Sequence, residues 1–531
     1  MNPLGAPAPR SGGRILIDAL LAQGVDIAFG VPGESYLSAM DALYEAGNRL
    51  RFITCRHEAG AANMADAYGK LTGKPGVCFV SRGPGACHAS IGLHTAFQDS
   101  TPMVVLVGQV SRAFAEREAL QEVDYRRLFA PLAKWVGQIE DAARIPELVS
   151  RAFHLAMSGR PGPVVLAIPE DMQEDMAAVA DVGPFHAVQP YPGAGDLAQL
   201  RERLSKAERP LVIAGGGGWS PAASADFTQF ALANNLPVAA SFRTQDIVDN
   251  NLAVYVGEFC AATDPALVKR AKAADLLLVV GARLGEMTTQ SYTIFSAPKA
   301  HADLVHVHPD SGELGRVYYA DLPINSGMGP FAAAARALPP IPRPRWAAWT
   351  AEARADYEKT QSTPGNSPGD LDMNVVMREL KRQLPADTIV ANDAGNFSGW
   401  PQRFWRYSSY RSQLAPTSGA MGYAVPAATA AAIVAPERRT IAFVGDGGFM
   451  MSGHELATAR QYGAKPLVLV VNNGMFGTIR MHQERDYPGR VMGTDLQNPD
   501  FAAYGRAFGA FGATVSRSAD FAPALTAALA S

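Results

Sequence analysis

Apolar runs of strand length return repeatedly along the chain, each followed by an amphipathic stretch long enough for a helix. They include "RFITC", "GVCFV", "PMVVLVGQV", "GPVVLAIP", "PLVIAGG", "DLLLVVGA", "LVHVHP", "TIAFVG" and "PLVLVVNN". Strands that are apolar throughout, rather than alternating, are buried on both faces, and the helix between two of them is the crossover that a parallel pair requires. The pattern therefore predicts an α/β chain of doubly wound parallel sheets. At 531 residues, 48% of them hydrophobic, it carries more core material than one sheet can bury. Two Pro- and Gly-rich stretches, 182–196 and 338–370, interrupt the alternation and divide the chain into 1–181, 190–338 and 370–531.

The formal net charge is −3 and charged residues make up 18%, so no broad basic field exists to hold nucleic acid or an anionic membrane; a small, buried ligand is the better match. Cys55, Cys78, Cys87 and Cys260 stand singly, without the spacing of a zinc site or the density of a disulfide framework, which fits a reducing cytoplasm. No apolar run reaches membrane-spanning length, and the opening residues lack the apolar core of a signal peptide.

The most specific stretch is "GDGGFMMSGHELATARQYGAKPLVLVVNN", from Gly445 to Asn473. "TIAFVG" reads as a buried strand. Ser452 and Glu455 have the spacing of a capping box that opens the helix "GHELATARQY", Gly463 closes it, and "PLVLVV" is the next parallel strand. A right-handed crossover brings the carboxyl ends of both strands to one sheet edge, so Asp446 and Asn473 face one crevice. A carboxylate and an amide oxygen make a partial site for magnesium, which prefers oxygen ligands and often shares substrate phosphates. Gly447 and Gly448 let backbone N–H groups approach a phosphate beside a helix N-terminus. The plainer alternative is a tight strand-to-helix turn with Asp446 solvated. "GPGACHASIGLHTAFQDSTPMVVLVGQ" echoes the same order of turn, helix and strand, which shared α/β architecture alone can generate.

"GDGG" followed at this spacing by "VVNN" resembles the signature of thiamine-diphosphate (ThDP) enzymes, and the whole chain looks most like the large subunit of acetolactate synthase and its relatives. The resemblance implies three domains: pyrimidine-binding, middle and diphosphate-binding. It implies Mg2+ on Asp446, Asn473 and the backbone carbonyl of Met475, with cofactor contacts along Gly445, Asp446, Gly447 and Gly448. "RHEAGAANMADAYGK" matches the segment carrying the family's glutamate. Glu58 is thereby implied to hydrogen-bond the aminopyrimidine ring, favouring the imino form that removes the thiazolium C2 proton. Such a role needs a carboxyl group in a dry pocket. The family's pocket lies between the first domain of one subunit and the third of its partner, so a homodimer, or a dimer of dimers forming a homotetramer, is implied.

Further residues follow from the same resemblance. "APTSGAMGYAVPAA" puts Met421 under the cofactor as the apolar wedge and the Gly419 carbonyl opposite its amino group. "NDAGNFSGW" is similar to the second diphosphate loop, with Gly395, Asn396 and Phe397 where acetolactate synthases carry Gly-Gln-His. Gly33 in "GVPGESYLSAMDAL" and Gln121 in "ALQEVD" match loops that line the catalytic pocket above the thiazolium. His88, in "GPGACHAS", is either a polar group of that pocket or a cap at a helix start.

The chain also departs from the family. Leu120 replaces a phenylalanine, and His482 stands where acetolactate synthases have a tryptophan that favours 2-ketobutyrate, so no branched-chain preference is expected. "IAGGGGW" and "VGARLGEMTTQ" resemble flavin-binding segments, which makes FAD a candidate cofactor; Arg283 is kept, and Met287 replaces the second arginine. The sequence ends at "APALTAALAS", where the family continues with one more strand and a tail. The implied function is ThDP- and Mg-dependent decarboxylation of a 2-keto acid, pyruvate first, with carboligation of the resulting carbanion to a carbonyl acceptor. One rival is a 2-keto acid decarboxylase or aldehyde carboligase similar to benzoylformate decarboxylase. The other is a catalytically silent nucleotide- or flavin-binding protein, against which the intact Glu58, Asp446 and Asn473 argue.

Overall fold

The computed structural model describes residues 7–361 and 369–531, so positions 362–368 of the second Pro- and Gly-rich stretch lie outside the described residues. The chain forms two compact units. Among the described residues, the first holds 7–188 with 429–434 and 452–465, and the second holds 189–361, 369–428, 435–451 and 466–531. Among the described residues no helix is long and apolar enough to cross a membrane.

The first unit is built on β1 (Ile27–Gly30), β2 (Arg51–Thr54), β3 (Gly76–Val80), β4 (Met103–Gln109), β5 (Trp135–Gln138) and β6 (Pro163–Pro169). The order across this sheet is β2-β1-β3-β4-β6-β5, every pair parallel. All residues of β3, β4 and β6 are buried, as strands covered on both faces must be. The order reverses between β1 and β3, so the loops leaving Gly30 and Val80 flank the crevice where open α/β sheets take ligands. Two helices start near this edge, α1 (Glu58–Thr72) and α2 (Gly83–Asp99). They pack closely because both are lined with small residues: a Cβ at Gly92 of α2 would overlap Ala62 of α1, while Gly76 at the start of β3 leaves room for the Ala65 carbonyl of α1.

The second unit carries two parallel sheets. The first of them contains β7 (Pro210–Ala214), β8 (Val238–Ala240), β9 (Tyr255–Glu258), β10 (Leu276–Val280), β11 (Asp303–His308) and β12 (Leu322–Asn325), in the order β9-β8-β7-β10-β11-β12. The other contains β13 (Ile389–Asn392), β14 (Gln413–Leu414), β15 (Thr440–Gly445) and β16 (Leu467–Val471), in the order β14-β13-β15-β16. Its reversal falls between β13 and β15. Helix α3 (Ala424–Val434) follows the loop after β14.

The chain after β15 differs from the sequence-based expectation. Helix α4 (Asp446–Ser452) begins at Asp446 itself, a 3-10 turn covers Gly453–Glu455, and α5 (Leu456–Gln461) follows. Ser452 makes no capping hydrogen bond, so the expected capping box is absent. The buried Glu455 carboxylate instead accepts the backbone N–H of Arg56 at 3.1 Å and of His57 at 3.0 Å, and the Thr458 hydroxyl. Two backbone donors distant in sequence take the carboxylate in place of a local cap. Gly463, at φ +67°, does end this helix as expected.

Candidate active site

The edge of the sheet between β13 and β15 gathers most of the residues singled out above. Asp446 is 2% exposed, and its Oδ2 accepts the Asn498 amide N–H at 2.7 Å. The same amide donates to Asn472 Oδ1 at 3.0 Å, so Asn498 ties the acid to the tip of β16. Asn473 sits one residue further on, its Oδ1 accepting the Met475 N–H at 3.2 Å, which curls the loop, while the Met475 carbonyl accepts the Gly477 N–H at 3.0 Å. Asn498 lies outside every motif and was not anticipated.

The glycines of this edge are required by packing. A Cβ at Gly447 would strike the Phe476 ring and approach Met421 Cε, so Met421 packs against this turn. A Cβ at Gly448 would overlap Asp393 Oδ2. Gly445 and Gly395, the latter at φ +146°, both lie against the Phe397 ring, which covers the tips of β13 and β15. Asn396 Oδ1 accepts the Thr478 hydroxyl at 2.9 Å, anchoring its loop to α6 (Gly477–Asp486). Gly419, at φ +70°, turns the loop that carries Met421.

Asp393 was missed, although an acid directly after "IVAN" was its signal. It is fully buried and accepts the N–H groups of Gly422 at 2.7 Å and Ala424 at 2.6 Å. Burial pushes its pKa up to about 6, against the pull of those donors and of Arg243. Buried Arg243, in the loop after β8, donates to the carbonyls of Pro416 at 2.5 Å and Asp393 at 3.0 Å. One guanidinium thus braces the two loops that carry Gly395 and Gly419.

In the first unit, Glu58 is the first residue of α1, whose N-cap His57 accepts the Ala59 N–H on Nδ1 at 3.1 Å. The Glu58 side chain is 13% exposed, and its Oε2 lies 2.9 Å from His88 Nδ1. Its Oε1 lies 3.2 Å from where a Cβ on Gly85 would stand, and the same Gly85 position is 3.4 Å from Ser81. Gly33 in turn packs on Ser81, so Gly33, Ser81, Gly85, Glu58 and His88 meet at the β1–β3 reversal. Gln121, at φ +65°, reaches this edge through its carbonyl, which accepts the Gly83 N–H at 3.0 Å. Leu120 beside it is 77% exposed.

Donor chemistry decides which groups these clusters suit. Asp446, Asn473 and the Met475 carbonyl offer oxygen only, the set Mg2+ takes in company with phosphate oxygens. The reversal between β7 and β10 is different. The turns at Gly216 and Gly281 touch each other, and the buried Trp219 indole donates to the Gly215 carbonyl at 2.8 Å.

Comparison with known proteins accounts for this arrangement. Models of the thiamine pyrophosphate enzymes match their N-terminal TPP binding domain over residues 10–128, central domain over 197–335 and C-terminal TPP binding domain over 393–531. Fold and sites thus define the class: a thiamine-pyrophosphate-dependent enzyme. The chain is 34% identical to the acetolactate synthase large subunit of Parasynechococcus marenigrum, covering 96% of this chain and 84% of that one. It is 31% identical to the acetolactate synthase isozyme 2 large subunit of Escherichia coli, over 96% and 91%. The probable acetolactate synthase large subunit of Methanocaldococcus jannaschii is also 31% identical, over 94% and 86%. The chain belongs to the acetolactate synthase large-subunit family of these enzymes.

Proposed function

We propose that this enzyme decarboxylates a 2-keto acid, pyruvate in the first instance, and joins the remaining fragment to a carbonyl acceptor, giving acetolactate when the acceptor is a second pyruvate. Bound ThDP supplies the electron sink for the loss of carbon dioxide. The observation that carries the reading is the placing of Asp446 and Asn473 just past the paired carboxyl ends of β15 and β16, with the acid tied to Asn472 through Asn498; their oxygens, with the Met475 carbonyl, suit Mg2+ and a diphosphate. In this reading Gly395, Asn396, Phe397 and Gly445 to Gly448 line the diphosphate, Met421 and Gly419 set the cofactor's shape, and the apolar Phe397 and Phe476 rings exclude water. Glu58 holds a proton at the aminopyrimidine ring, and Gly33 and Gln121 border the substrate.

The domains are taken as 1–181, 190–338 and 370–531, and the working enzyme as a cytoplasmic homodimer or dimer of dimers whose first and third domains come from different subunits. FAD in the middle domain is a further candidate cofactor of this reading, and no step is assigned to it. A second reading, release of an aldehyde as in benzoylformate decarboxylase, rests on two departures from the acetolactate synthase pattern: Leu120 in place of a phenylalanine and His482 in place of a tryptophan.

Incubation with pyruvate, ThDP and Mg2+ is expected to yield acetolactate, and chelation of the metal to stop it. Acetaldehyde in its place selects the second reading. Absence of both products across a panel of 2-keto acids overturns the proposal, as does a Glu58→Gln variant that turns over at the wild-type rate.

A further inference from the structure

We propose that His88 is a positioning residue for Glu58, an inference that rests on the reading of Glu58 just given. Among the described residues, the Glu58 carboxylate has one hydrogen-bond partner, His88 Nδ1 at 2.9 Å, and no arginine or lysine pairs with it. A largely buried carboxylate so poorly supplied depends on that donor for its orientation. Glu58 Oε2 is held by His88, while Oε1 faces the gap left by the absent side chain of Gly85. The histidine therefore commits one oxygen and leaves the other to a ligand.

The geometry is fixed by the two helices. Gly92 on Ala62 locks α2 against α1, which sets the distance between residues 88 and 58. The His57 ring stacks on His88 with centroids 4.4 Å apart and planes 29° from parallel, holding the imidazole so that Nδ1 points to the carboxylate. His57 is itself kept in one tautomer: its Nδ1 accepts the Ala59 N–H, which leaves the proton of the neutral ring on Nε2. Burial and the neighbouring His88 both lower the His57 pKa, which favours the neutral ring. The ligand atoms of His57, Glu58 and His88 lie within 4.8 Å of one another, as in a metal site. With the Nδ1 lone pair of His57 engaged by the Ala59 N–H, however, the trio is held by the His57–His88 ring stack and the Glu58–His88 hydrogen bond.

Two substitutions separate the donor from the ring. His88→Asn places an amide N–H near the position of Nδ1 and removes the stack; His88→Phe keeps the stack and removes the donor. In the cofactor-free protein, proton NMR is expected to show a protected downfield imidazole N–H that is lost in both variants and moves upfield in Glu58→Gln. With ThDP and Mg2+ added, His88→Phe is expected to lower both product formation and deuterium exchange at the cofactor's C2 by about tenfold or more, the loss of one charge-assisted hydrogen bond. His88→Asn should stay within about threefold of wild type. Equal impairment of both variants assigns His88 to packing, and an unimpaired His88→Phe assigns it to nothing; either overturns the inference. Since Glu58→Gln tests the glutamate directly, an inactive Glu58→Gln beside an unimpaired His88→Phe sinks the role of His88 alone.

Discussion

Asp393 reaches three segments at once. Its carboxylate holds the N–H groups of Gly422 and Ala424, its Oδ2 occupies the space beside Gly448, and its carbonyl takes a hydrogen bond from Arg243. Burial raises its pKa from 3.8 to about 6, so the folded protein binds this proton more tightly than the unfolded chain does. The sign follows from linkage: the group's contribution to stability is full below the unfolded pKa and is lost as pH rises through about 6. Asp393→Asn removes that titration. The stability advantage of wild type over Asp393→Asn should therefore shrink between pH 4 and 6.5 by on the order of 3 kcal/mol and then level off. Urea denaturation of both proteins across that range measures it; a difference that grows with pH would contradict the assignment. Asp393 escaped notice in the sequence because an acid at a strand end is common in loops, and nothing in "NDAGNF" reveals that its partners lie near residue 423.

At the scale of elements, the start of α1 depends on a residue far away in the chain. The N–H groups of Arg56 and His57, just before α1, are taken by Glu455, and a Cβ at Gly60 would overlap that carboxylate. The Tyr462 hydroxyl adds a hydrogen bond from the Thr54 N–H at 2.7 Å, so residues 452–465 clamp the end of β2 to the beginning of α1. Glu455→Ala strands two backbone donors and the Thr458 hydroxyl. It should cost roughly 2–4 kcal/mol of stability, whereas Glu455→Gln, which retains an acceptor oxygen, should cost less; thermal unfolding ranks the two. The local spacing of Ser452 and Glu455 suggested a capping box because sequence pattern registers neighbours only. The long strands were legible for the converse reason: "GVCFV" and "PMVVLVGQV" are apolar on both faces, and that signal is local. Strands as short as Gln413–Leu414 or Val238–Ala240 carry too few residues to show any period. A motif that supplied two anchors, Asp446 and Asn473, placed both just past the ends of neighbouring strands, as the structure has them. The site was not legible where single residues such as Asn498 or Arg243 complete it from elsewhere.

At the scale of the whole molecule, Glu58 and Asp446 belong to different compact units of the chain. Each proposed active centre needs both residues, and the proposed assembly takes them from different subunits. Glu58→Gln and Asp446→Ala homodimers should both be inactive, the first for want of the proton-holding carboxylate and the second for want of a metal ligand. In a mixed dimer of the two variants, one centre combines both substitutions and the other combines the intact Asp446 of the Glu58→Gln chain with the intact Glu58 of its partner. Differently tagged chains, co-expressed and purified through both tags, should then regain about half of wild-type acetolactate formation from two inactive parents. If each chain instead built its own centre, both centres of the mixed dimer would carry one substitution and activity would stay at background. The recovered activity therefore distinguishes a centre shared across subunits from one contained within a single chain, and it does so with the same two residues on which the chemistry depends.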